Sequence, residues 1–186
     1  MYIRQHWNTI SRHRRLVRQY CFRVGLYRQG LLHDLSKYSW TEFSVGARYW
    51  QGNRSPNNAE REATGVSLSW LHHKGRNKHH YEYWVDYGVD ADTVLVGMPM
   101  PRRYIAEMVM DRISACQVYM GDSYTDEAPY AYYEKGRAKL WFIHEKTDRE
   151  LGLLLKMLAV KGEDYMLRYV KHYYLKGGPM PWERKK

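Results

Sequence analysis

Apolar residues recur along this chain at three- and four-residue spacing, and no stretch of convincing two-residue alternation competes with them. Ile3, Trp7, Ile10, Val17, Tyr20, Cys21 and Val24 mark one side of the opening segment, with arginines on the other. That pattern predicts a long first helix from Ile3 to about Tyr27, ending near Gly25 or Gly30. Carried along the chain, the same period predicts an all-α fold of about seven to nine helices. They form one compact domain over 1–175, followed by a loosely held basic tail over 176–186.

Capping and turn residues punctuate the rest. Leu31 to Leu35 predicts a second helix that carries His33 and Asp34. Ser39-Trp40-Thr41-Glu42 has the form of a capping box, predicting a third helix to Trp50. Residues 52–58 read as a loop, with Asn58 able to cap a helix that continues to about His73. Gly75 divides His72-His73 from His79-His80, so the two pairs flank a turn, and further helix is expected over Tyr81 to Tyr87. Pro101 opens a helix carrying Asp111 among apolar neighbours, and two amphipathic helices, Thr147 to Val160 and Glu163 to Tyr174, meet at Gly162.

Composition narrows the function classes. At 44% hydrophobic and 15% aromatic, a chain of 186 residues has ample material for a core and does not resemble a disordered one. The formal charge of +10 favours anionic partners, among them nucleotides, phosphorylated metabolites and nucleic acid. Cys21 and Cys116 have no spacing partners, which predicts free thiols. The opening residues lack the apolar core of a signal peptide, and Leu151 to Val160 is too short to span a bilayer. A cytoplasmic location without membrane association is the expectation, with the oligomeric state open.

The chemistry-bearing residues are imidazoles and carboxylates on separate stretches. A borderline divalent metal needs neutral imidazoles and ionised carboxylates converging from several rigid elements. His33-Asp34 supplies one nitrogen and one oxygen, and His13, His72, His73, His79, His80 and Asp111 are candidates for the rest. His6 rivals His13, because seven residues, two helical turns, place both on roughly one face.

A histidine on an early helix, a later His-Asp doublet and a distant helical aspartate, here His13, His33-Asp34 and Asp111, resemble the ordered signature of HD-domain metal-dependent phosphohydrolases. His33-Asp34-Leu35-Ser36-Lys37 looks like the H-D-x-G-K run of the HD-GYP branch, in which a lysine lies beside the metals and extra histidines complete a site with two or more ions. The G-Y-P element is absent, so that branch's cyclic-dinucleotide specificity is not carried over. His6 through Asp111 also looks like a family of small, largely uncharacterised bacterial and phage proteins with H-D-L-S-K-Y-S and W-L-H-H-K-G-R-N-K-H-H segments.

The resemblance implies an HD-type helical domain holding one or two divalent ions (Mn, Fe, Ni, Zn or Mg). It implies hydrolysis of a phosphate ester of a nucleotide or other phosphorylated small molecule by a metal-activated water. Asp34 would bridge the metals, and Lys37 would neutralise a phosphate oxygen or assist the leaving group. Arg54, Arg76 and Asn77 are the candidates for further phosphate contacts. Two alternatives use the same residues: a basic helical nucleic-acid-binding module with a structural metal, and an HD-fold di-iron oxygenase.

Overall fold

The computed structural model describes residues 1–89 and 94–183. Nine α-helices occur among them: α1 (Ile3–Arg23), α2 (Tyr27–Leu32), α3 (Trp40–Arg48), α4 (Pro56–Thr64), α5 (Leu68–Lys74), α6 (Arg102–Met120), α7 (Ala128–Arg137), α8 (Glu145–Lys161) and α9 (Glu163–Tyr169). The all-α expectation holds, apart from one small ribbon. Tyr81–Tyr83 makes a single 3-10 turn rather than a helix, and β1 (Val85–Tyr87) then pairs antiparallel with β2 (Leu95–Gly97). The Val-Asp-Tyr and Leu-Val sequences suit a pleated ribbon, and each strand needs the other to satisfy its backbone.

The core lies where α1, α6, α8 and α9 meet. Val17 and Cys21 from α1, Ile105, Val109 and Ile113 from α6, and Leu151, Leu154, Leu155 and Leu158 from α8 are completely buried. Truncating any one of these leucines to alanine removes apolar contact and leaves a cavity, at a cost of roughly 2–5 kcal/mol. Polar clasps fix the packing at its edge: Tyr20 donates to Glu163 Oε2 at 2.6 Å, and Arg23 reaches both Glu163 and Asp164. These contacts tie the end of α1 to the start of α9.

Several boundaries differ from the sequence-based expectation. The α2 helix stops at Leu32, so His33 and Asp34 sit in the break before a short 3-10 turn, Leu35–Tyr38, rather than on a helix. Ser55 and Pro56, not Asn58, open α4. The predicted helix from there to His73 is split at Gly65, which adopts a left-handed conformation with φ of 80°. The tail is held more firmly than its composition suggests: Met180 is fully buried, and Arg102 donates to the Gly178 carbonyl at 2.8 Å. Residues 184–186 of that tail lie outside the described residues.

Candidate metal centre

Asp34 sits at the middle of a buried cluster of imidazoles. It is the one non-glycine residue with positive φ among the described residues, at 54°. Aspartate tolerates this conformation better than most side chains, and the turn aims its carboxylate inward instead of along a helix surface. Its two oxygens face different partners. Oδ2 lies 3.6 Å from His13 Nε2 and 3.4 Å from His33 Nε2. Oδ1 lies 3.3 Å from His73 Nε2 and 3.4 Å from His79 Nε2.

Two overlapping donor sets share this carboxylate. His13, His33, Asp34 and Asp111 form one, and Asp34, His73, His79 and His80 the other, each with donor atoms within 4.8 Å of one another. Two donors bound to a common ion at about 2.1 Å lie up to about 4.2 Å apart, so each set is close to the span that a single cation bridges. Four stretches deliver the donors: α1 brings His13, the α2 break brings the doublet, α5 and the following turn bring the three later histidines, and α6 brings Asp111.

The outward nitrogens are claimed by carboxylates. Glu107 Oε1 lies 3.0 Å from His33 Nδ1 and 3.3 Å from His79 Nδ1, thereby serving one histidine of each set. Glu42 Oε2 lies 2.7 Å from His73 Nδ1. A carboxylate on Nδ1 fixes the tautomer in which that nitrogen carries the proton, leaving the Nε2 lone pair free to point into the centre. Inside, Nε2 atoms meet each other: His73 and His80 at 2.9 Å, and His13 and His33 at 3.4 Å. Two lone pairs directed together need a cation or a shared proton between them. Asp34 Oδ1 and His79 Nε2 are buried without a hydrogen bond of good geometry, whereas Asp34 Oδ2 is paired with Lys37. The donor chemistry and these orphaned atoms fit a pair of divalent ions.

The electrostatics keep the acids ionised. Burial opposes the charge on Asp34, but His33, Lys37 and His73 outweigh it and hold the carboxyl well below the usual range. Asp111 is likewise held well down, its burial outweighed by His13 and His33. Burial, reinforced by His79 and His73, pushes His80 well below an ordinary histidine, so it stays neutral as a ligand must. Lys37 Nζ lies 2.6 Å from Asp34 Oδ2 and faces the cleft beside the cluster.

The structure sorts the sequence candidates. His13, His33, Asp34, His73, His79, His80 and Asp111 come together. His72 does not join either set; its Nδ1 meets Glu42 Oε1 at 2.6 Å, and its Nε2, unlike that of His73, does not reach the cluster. His6, the rival of His13, is buried against Gly46 and Phe43 and lies outside both sets. Arg54 forks onto Glu62, and Arg76 contacts the His72 carbonyl; neither lines the cleft. Asn77 is also no cleft residue: it is buried and donates to Ser36 Oγ and the His73 carbonyl, bracing the turn. Glu42 is no capping-box residue either, since Ser39 makes no side-chain cap and the glutamate turns to the histidines instead. Glu107 is absent from the sequence-based candidates, although its position one helical turn before Asp111 on α6 places both acids on one face.

A family model described as a family of unknown function, DUF5662, matches residues 2–157, a span that includes every residue of the centre. No curated protein and no solved structure matches the chain.

Proposed function

Because the chain belongs to the family of unknown function DUF5662, its activity has to be argued from its own site, and we propose a metal-dependent phosphohydrolase of the HD type. The observation that carries this is the Asp34 carboxylate, buried with one oxygen toward each of two histidine sets. That is the arrangement of a bridging ligand in a two-ion centre. A bound divalent pair supplies a hydroxide equivalent at neutral pH and offsets charge developing on a phosphoryl group.

The protein's own residues supply the rest. Glu42 and Glu107 orient three imidazoles before any ligand arrives, so little reorganisation is needed on binding. Lys37, anchored to Asp34 at the cleft edge, presents a cation to an incoming phosphate oxygen. The adjoining cleft of about 1030 Å³ admits a whole small-molecule ester. A small molecule of this size, rather than nucleic acid, is the proposed substrate.

The test is turnover of p-nitrophenyl phosphate and bis(p-nitrophenyl) phosphate after loading with Mn, Fe, Ni, Zn or Mg in turn. Metal-dependent release of p-nitrophenol, abolished in the His33→Ala/Asp34→Ala double variant, is the expected result. Release that persists in the double variant rejects the assignment. The same donors suit an iron pair, so oxygen uptake without phosphate-ester cleavage in the iron-loaded sample would replace hydrolysis by oxygenation.

A further inference from the structure

The metal cluster occupies only one side of the cleft. Its volume of about 1030 Å³ is at the top of the range for drug-sized ligands, far more than one phosphate group fills. What lines the remainder is therefore informative about the rest of the substrate. Arg61 from α4, Arg112 from α6, and Lys135 and Lys139 from the end of α7 and just beyond all face this space, against Glu82 as the acid away from the cluster. Among the described residues, the Arg61 guanidinium bonds Asn58 Oδ1, at 3.1 Å. Arg112 Nε is buried and has no hydrogen-bond partner, although the same guanidinium bonds Tyr81 and lies in the field of Glu82. A buried guanidinium nitrogen left unpaired is costly unless a ligand supplies its acceptor.

The backbone beneath Arg61 is firmly braced. Glu60, one residue before Arg61, is buried and accepts from Ser67 Oγ and Ser69 Oγ at 2.5 Å each and from the Leu68 amide at 3.1 Å. Asn57 Oδ1 takes a further bond from Ser69. These contacts bolt α4 to the start of α5, which itself carries His73, so Arg61 is positioned relative to the metal cluster by a direct chain of hydrogen bonds. Arg112 follows Asp111 in sequence and is fixed relative to it by α6. Beside this wall, the rings of Tyr81 and Phe142 lie 5.7 Å apart and both border the cleft, offering an aromatic surface to a planar group.

We infer that the substrate is a phosphate ester bearing a second phosphate, gripped by Arg61 and Arg112 while the scissile phosphate lies at the Asp34 centre and a planar ring rests on Tyr81 and Phe142. The assignment of the scissile end rests on the phosphohydrolase proposal; the second-phosphate subsite stands on the cleft wall itself. Arginines on the cleft wall offer charge-assisted hydrogen bonds that a substrate with a single phosphate at the Asp34 centre cannot use.

The experiment pairs adenosine 5′-monophosphate with adenosine 3′,5′-bisphosphate, which differ only in the second phosphate. Equilibrium binding of each to the protein as purified is followed by tryptophan fluorescence, and phosphate release is measured in the same samples. The bisphosphate is expected to bind at least about tenfold more tightly, the worth of one charge-assisted hydrogen bond. That preference is expected to collapse in Arg61→Ala, whose side chain is exposed, and to shrink in Arg112→Lys, which keeps the charge and loses the fork. Equal affinity for the two nucleotides overturns the inference, as does a preference that survives in Arg61→Ala. Preferential binding without any phosphate release leaves the subsite standing and removes the hydrolytic reading, so the two claims fail separately.

Discussion

Glu107 shows how much one side chain decides here. Its carboxylate reaches Nδ1 of both His33 and His79, so a single residue sets the tautomer of one histidine in each of the two donor sets. Glu107→Gln keeps the size and removes the charge. Loss of such an outer partner typically weakens metal affinity by about 10–100-fold. A competition titration against a chelator should show that loss for both ions, with the helical circular dichroism unchanged; wild-type affinity in the variant would contradict the role. His6 makes a different prediction. Burial, and then the positive charge of Lys37, push its imidazole down to about 4. The unfolded chain takes up this proton near the ordinary histidine value of about 6.5, whereas the folded chain refuses it until near 4. The stability that neutral His6 contributes is thus complete above the ordinary value and drains away as pH falls toward 4. Melting temperatures of wild type and His6→Leu, compared between pH 7 and pH 4.5, should show a shallower decline in the variant. Parallel declines would count against it. His13 and Asp111 are legible in the sequence because residue type and order survive folding. The inward aim of Asp34 is not, since it depends on a left-handed backbone that only the end of α2 reveals.

The elements differ in how far local sequence dictates them. The α1, α8 and α9 helices follow from apolar periodicity, because each carries a stripe that must be buried, whereas α6, buried on every side over Ile105–Met110, is announced by Pro101 at its start. The ribbon β1–β2 escapes such analysis, as neither three-residue strand is stable without its distant partner. The α7 helix is hidden by tyrosines on several faces, which blur the apolar stripe, even though Pro129 stands in its first turn as helix openers do. Glu42 is misread for a physical reason: a serine and a glutamate three residues apart serve a capping box, but here buried imidazoles compete successfully for the carboxylate. Gly97 is where the ribbon meets the cleft. A Cβ there would lie 2.1 Å from the Phe142 carbonyl oxygen and 2.6 Å from the His144 amide nitrogen, backbone on both sides. Gly97→Ala should therefore force the ribbon off Phe142 at a cost of about 1–3 kcal/mol. Gly136→Ala, where a methyl meets nothing within 4 Å on a helix, should be neutral or mildly stabilising. Thermal melts of the two variants should move apart; equal melting temperatures would refute the close approach.

At the scale of the whole molecule, the fold brings His13, His33, Asp34, His73, His79, His80 and Asp111 from stretches up to 98 residues apart into one buried cluster. Histidines and acids taken from water are expensive to bury in this density unless something compensates them. The core beneath α1, α6 and α8 provides the rigidity that holds such a cluster open, and the chain's net positive charge draws anions toward the cleft beside it. The sequence shows which residue types are available for this centre; that His73 enters it and His72 does not, while His79 and His80 both enter, is settled by how α5 and the turn after Gly75 pack against the rest. The most direct measurement is the metal content of the purified protein beside that of Asp34→Asn, a change that keeps the shape, tolerates the left-handed backbone and removes the bridging charge. About two divalent ions per wild-type chain, with both lost in the variant while its melting transition stays cooperative, is the result expected of a shared carboxylate. A wild-type chain that retains no divalent metal and binds none on titration would contradict the account.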